Sequence, residues 1–319
     1  MNSEKSSFLK IRLSSIHPST QLTFSIYVLI NGKFTLYLRS GDKLTFEKLQ
    51  LLDSKAQGDF FYVQVSEWVA YKTFIQEQIN SSEIAPLEKA QILKASSMAI
   101  VEELFEHPDV NVALDSSRPI IENFVTFMQA EPEAMAHLIG LSGHDFYTYN
   151  HSLDVSIYAL GLGKALGMNP KELEELGLGS LFHDIGKRNV SLDILCKKGP
   201  LSKDEWTIMQ LHPQYGYVIL NANPTITDAM KAACFEHHES FQGNGYPQQL
   251  QSHEIHPHAR IVAITDTYDA LTTQRSYNTP LMPLDALVMM KEKIHGRYDP
   301  DMLNAMYSVL FNQKKSNAS

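Results

Sequence analysis

The hydrophobic pattern of this 319-residue chain changes period once, near Glu67, and that change limits its fold more than any other feature. Before it, apolar residues come in short runs of strand formers. Ile26-Tyr27-Val28-Leu29-Ile30 and Phe34-Thr35-Leu36-Tyr37-Leu38 flank Asn31-Gly32, and Phe60 to Val65 forms a further run. Asn-Gly supplies the two positive-φ positions of a tight type I′ turn, so the first two runs predict a β-hairpin. About four to six strands are expected within residues 1–75. After Glu67 the apolar residues recur at three- and four-residue spacing over 83–106, 117–142, 150–166 and 171–184, which is the helical period. Ser202-Lys203-Asp204-Glu205 is a capping box that opens another helix, and Thr227 to Glu239, Ala259 to Leu271 and Leu284 to Lys293 continue the pattern. The fold class is therefore α+β. A small, mostly-β domain is expected at 1–80, a connecting helical region at 81–143, and an all-α bundle at 144–319, with the polar stretch 107–119 as a separator.

Bulk properties remove several function classes. Hydrophobic residues make up 44% of the chain and charged residues 20%, which is enough apolar material for packed cores and excludes global disorder. A net charge of −9 argues against a nucleic-acid polymer as partner. The two cysteines, Cys196 and Cys234, suit a reducing compartment, and neither an apolar run of about 20 residues nor a basic-then-apolar leader is present. The expectation is a soluble cytoplasmic protein without membrane attachment.

Chemistry concentrates in the helical part. His183-Asp184 alone is a weak signal, because most such pairs are incidental. It gains meaning from His212-Pro213, from the double histidine His237-His238 closing a helical segment, and from Asp266 at the end of the apolar run Ile261 to Thr265. A carboxylate in such surroundings needs a partner, since an unpaired buried charge is expensive. Imidazole nitrogens and carboxylate oxygens are ligands that suit iron, manganese or zinc, and several on a helical scaffold can hold two ions. His237 and His238 can ligate one ion together only if their helix ends there, because neighbours on a helix point about 100° apart.

These residues and their surroundings resemble the HD-GYP phosphodiesterases, a branch of the HD metal-dependent hydrolases. The matching stretches include Asp145 to Thr148 leading to His151-Ser152, then His183-Asp184-Ile185-Gly186-Lys187, Pro200-Leu201-Ser202, Glu205-Trp206 and His212-Pro213. They continue through His237-His238-Glu239, Gly243-Asn244-Gly245-Tyr246-Pro247, Asp266 to Thr272, Arg275-Ser276-Tyr277 and Tyr298-Asp299-Pro300. The resemblance spans about Asp145 to Tyr307, roughly half the chain. It implies an HD-type helical bundle that hydrolyses cyclic di-GMP to linear pGpG, and in some members onward to GMP.

Carried over residue by residue, the resemblance implies that His151, His183, Asp184 and Asp266 hold one divalent ion. Asp184 would bridge to a second ion held by His212, His237 and His238. Iron is the expected metal, with manganese as an alternative and zinc less favoured. Asp184 and Lys187 are the expected catalytic residues, Lys187 setting a cation against the scissile phosphate, and Lys187, Tyr246 and Arg275 the substrate contacts. Glu239 and Asp269 are expected to orient ligands or seal helix packing. Two positions depart from the family pattern: Gln242 stands where an aspartate is usual, and Asn278 where a lysine is frequent. They keep open turnover of another cyclic dinucleotide, or a weakly active, ligand-responsive interaction module. Tyr147 replaces the glutamate that supplies a third metal in some members, so two ions are expected. Partners left open are a second copy of the chain, and proteins contacting the N-terminal domain or the Gly245-Tyr246-Pro247 loop.

Overall fold

A computed structural model describes residues 7–18, 20–45, 61–106, 110–131, 133–142, 148–274 and 279–311. Strands β1 (Phe8–Ile11), β2 (Ile26–Ile30), β3 (Lys33–Leu38) and β4 (Phe61–Gln64) form one antiparallel sheet in the order β1-β4-β2-β3. The β2–β3 hairpin closes on Asn31 and Gly32 at φ of 49° and 77°, with Ile30 opposite Lys33. That is the two-residue turn expected of Asn-Gly, and four strands stand among the described residues.

Helices follow: α1 (Trp68–Asn80), α2 (Pro86–Glu106), α3 (Val110–Ala130) and α4 (Ala134–Gly140). The stretch 107–119, read in sequence as a separator, is helical from Val110 and carries Pro119 inside α3. The apolar segment 117–142 is divided between α3 and α4 rather than continuous. Contacts divide the chain into two compact units, Met1–Leu138 and Ile139–Ser319. In the first, Phe24 packs edge-on against both Tyr71 and Phe74 of α1. The buried Gln78 amide accepts from the His17 N–H at 2.6 Å and donates to the Ser15 carbonyl at 3.2 Å, so the polar groups beneath the helix are satisfied.

The second unit is helical: α5 (Thr148–Ala165), α6 (Pro170–Leu181), α7 (Leu192–Leu195), α8 (Lys203–Met209), α9 (His212–Asn221), α10 (Asp228–Glu236), α11 (Pro257–Thr272), α12 (Pro283–Glu292) and α13 (Pro300–Phe311). Local signals mark the helix starts. Asn169 caps α6 in a capping box with Glu172, Pro170 follows at the first helical position, and Ser202 with Glu205 caps α8 in the same way. Val155, Tyr158 and Leu162 of α5 pack with Ile261, Val262, Ile264 and Tyr268 of α11 and with Leu303, Met306 and Val309 of α13. This apolar core fixes α5 against α11, the two helices that carry His151 and Asp266. Among the described residues, no helix is long and apolar enough to cross a membrane.

Candidate metal centre

Helix ends and close approaches assemble the site. Helix α6 stops at Leu181, and His183 and Asp184 fall between it and a short 3-10 turn, Ile185–Asn189. Gly186 in that turn lies so close to α9 that an added Cβ would overlap the His212 carbonyl and the Gly216 nitrogen, both backbone. Only glycine permits this approach, which sets His212, the first residue of α9, beside Asp184. Helix α10 ends at Glu236, and past that end the His237 and His238 rings lie 4.1 Å apart between centroids. His151 comes from the first turn of α5 and Asp266 from the middle of α11.

The seven expected ligands converge. His212, His237 and His238 form one group with ligand atoms within 4.8 Å of one another, and His151, His183 and Asp266 form another. Asp184 joins them, its Oδ1 3.2 Å from His212 Nε2 and its Oδ2 3.3 Å from His183 Nε2 and 3.8 Å from His151 Nε2. Asp266 Oδ1 lies 3.3 Å from His151 Nε2.

Proton positions follow from the partners. A backbone carbonyl only accepts, so Nδ1 is the donor in His183 to Ser180 (2.7 Å), in His212 to Met209 (2.8 Å) and in His237 to Cys234 (2.7 Å). In its neutral form each of these rings turns an unprotonated Nε2 into the centre. Acceptors consequently face acceptors: His212 Nε2 and His237 Nε2 are 3.3 Å apart, and buried His183 Nε2 and Asp184 Oδ1 have no hydrogen-bond partner. Such an arrangement is repulsive unless a cation sits among the lone pairs. A gap of 3.3 Å is what two nitrogens show when each lies about 2.1 Å from a shared ion. The donor set therefore fits divalent metal.

Burial would raise the Asp184 pKa, but the Lys187 ammonium, 2.5 Å from Oδ2, and the His183 imidazole outweigh it and hold the carboxyl well below its usual range. Asp266 behaves alike, burial being overcome by His151. Burial disfavours a charge on His151, yet Asp266 and Asp269 push its pKa up to about 9. His238 moves the other way, driven by burial to about 3, and His237 falls well below the ordinary imidazole value for the same first reason.

The remaining residues sort by position. Asp269 Oδ2 accepts from His151 Nδ1 at 2.7 Å, which aims the opposite nitrogen at Asp184 and Asp266. Glu239 instead accepts from the Gln248 and Leu250 N–H groups at 2.6 and 3.1 Å, pinning the loop that carries Tyr246. Tyr246 stacks on His238 with centroids 4.8 Å apart. Gln242 is exposed and its amide packs against Gly296. Tyr147, Arg275 and Asn278 lie outside the described residues. Arg297, which no spacing signal singles out, brings its guanidinium 3.4 Å from His238 Nδ1.

A family profile described as HD domain matches residues 133–302. A cyclic di-GMP phosphodiesterase of Pseudomonas aeruginosa is 31% identical over 226 residues, covering 70% of this chain and 54% of that protein. The 3'3'-cGAMP-specific phosphodiesterase 3 of Vibrio cholerae is 37% identical over 166 residues, covering 51% of this chain and 35% of its own. The chain thus spans about half or less of the length of these relatives. Among solved structures, an HDG"Y"P protein from Bdellovibrio bacteriovorus aligns with a TM-score of 0.73 over 95% of this chain and 99% of that one. Its sequence identity is 24%, so that likeness is one of fold.

Proposed function

This chain belongs to the HD domain family, in its HD-GYP form, whose fold binds divalent metal, and we propose that it is a two-metal phosphodiesterase acting on cyclic di-GMP. The observation that carries this reading is the convergence of the Nε2 atoms of His183, His212 and His237 around Asp184, each ring donating its Nδ1 proton outward to a backbone carbonyl. His151, His183, Asp184 and Asp266 would hold one ion, and Asp184, His212, His237 and His238 the other. Iron or manganese suits this mixed nitrogen and oxygen set. When bound, the ions supply Lewis acidity toward the scissile phosphate and lower the pKa of water toward neutrality.

The chain's own groups do the rest. The backbone carbonyls of Ser180, Met209 and Cys234 keep three imidazoles in the ligating tautomer, and Asp269 does so for His151. Lys187, partly exposed, places an ammonium where negative charge builds on the phosphate, and Tyr246 offers a ring face to a base. Water adds to phosphorus, the bond to the 3′-oxygen breaks, and that oxygen leaves with a proton. The product is linear pGpG, with a second hydrolysis giving GMP. A reducing cytoplasmic setting suits the free thiols Cys196 and Cys234.

A second reading, turnover of a mixed dinucleotide, is favoured by the neutral Gln242 in the segment between His238 and Tyr246 and by the Vibrio relative. Metal-loaded protein should therefore be given cyclic di-GMP, 3'3'-cGAMP and cyclic di-AMP in parallel. Cyclic di-GMP is expected to be cleaved fastest, and faster cleavage of either other substrate replaces the first reading with the second. Separately, Asp269→Asn should weaken metal affinity about tenfold to a hundredfold while the protein stays folded, as titration of the metal-free protein would measure. Unchanged affinity would remove Asp269 from the account.

A further inference from the structure

We propose that Arg297 is a substrate-binding residue that grips a phosphate of the cyclic dinucleotide at the His238 and Tyr246 side of the metal centre. This rests on the phosphodiesterase reading above. Two arginines of one neighbourhood make the contrast. Arg260 is neutralised by Asp299, with Nη1 and Oδ2 2.6 Å apart. Arg297, further along the chain, has no carboxylate paired with it among the described residues; a buried Nε without a hydrogen-bond partner is common to both arginines, so the missing carboxylate is what sets Arg297 apart. A half-buried guanidinium left without a counter-charge is costly unless an anion visits it.

Its position says which anion. The Nη2 atom is 3.4 Å from His238 Nδ1, and the ring of His238 is the one on which Tyr246 stacks. The guanidinium carbon also stands 5.8 Å from the centroid of the Tyr298 ring.

At 3.4 Å the contact with the His238 ring is long and brings no negative charge, so it does not neutralise the guanidinium. A phosphate oxygen would supply that charge, and the planar fork suits it bidentately.

The side chain can be changed without undoing the loop, because the segment is tied by its backbone: the Phe241 N–H donates to the Arg297 carbonyl at 2.9 Å. The test is steady-state kinetics on cyclic di-GMP with metal-loaded wild type, Arg297→Gln and Arg297→Lys, with elemental analysis of each. The glutamine variant should raise KM about tenfold or more with kcat within about threefold, and the lysine variant should fall between. Metal content should stay at the wild-type value in both. An unchanged KM overturns the proposal. So does loss of metal in Arg297→Gln, which would make Arg297 a positioning residue for His238. Absence of cyclic-dinucleotide turnover by the wild type overturns the functional reading and this proposal with it, an outcome distinct from an unchanged KM in an active enzyme.

Discussion

Alanine in place of Asp184 is expected to remove bound metal and cyclic di-GMP hydrolysis together, with the rate falling at least about a thousandfold. The size follows from position. Among the described residues, Asp184 is the carboxylate that faces both groups of imidazoles, one oxygen 3.2 Å from His212 Nε2 and the other 3.3 Å from His183 Nε2. Without it neither ion keeps a full set of ligands. The fold should survive, because His183, His212 and His237 are held by backbone carbonyls rather than by Asp184. Elemental analysis, a turnover assay and a circular dichroism spectrum on the same preparation separate these effects. A folded variant that keeps more than about a tenth of wild-type turnover would contradict the assignment.

The second large effect needs no change to any ligand. Gly186→Ala puts a methyl group into the backbone of His212 and Gly216, and neither obstacle is a side chain that can rotate away. The turn and α9 must separate, and overpacking against rigid atoms costs about 3 kcal/mol or more. For a unit of this size that lowers Tm by roughly 6–12 °C. The same displacement draws His212 away from Asp184, so the variant should also bind less metal. Melting curves with and without metal measure both parts: the wild type should be stabilised by metal, and the variant should melt lower and gain less. A variant that melts within about 1 °C of wild type would show that the close approach is not required.

Which features were legible in the sequence follows the range of the physics behind them. Asn31-Gly32 and the Ser202 and Glu205 capping box act within a few residues, so they can be read without knowing the fold. The expected metal ligands are legible for another reason: His183-Asp184, His212-Pro213, His237-His238 and Asp266 stand out by residue type, and the resemblance to a known family adds His151 and the division into two groups. The requirement that the His237 helix end early is met at Glu236. Long-range effects are harder. Pro119 signals a helix boundary locally, yet α3 runs through it because tertiary packing outweighs one lost hydrogen bond. Glu239 beside a double histidine suggests a ligand partner, but its two oxygens serve the loop amides of Gln248 and Leu250. Gly186 gives no sign of its close approach to His212, and Arg297 reaches His238 only because the backbone bond from Phe241 brings distant segments together.

The central claim is that two half-sites share Asp184, and metal stoichiometry addresses it most directly. Protein purified without oxygen should carry two divalent ions per chain by elemental analysis. His151→Ala and His212→Ala should each keep about one ion, because each removes a ligand from a different half, whereas Asp184→Ala should keep none. A wild type that holds at most one ion under saturating metal, or half-site variants that still hold two, would contradict the account.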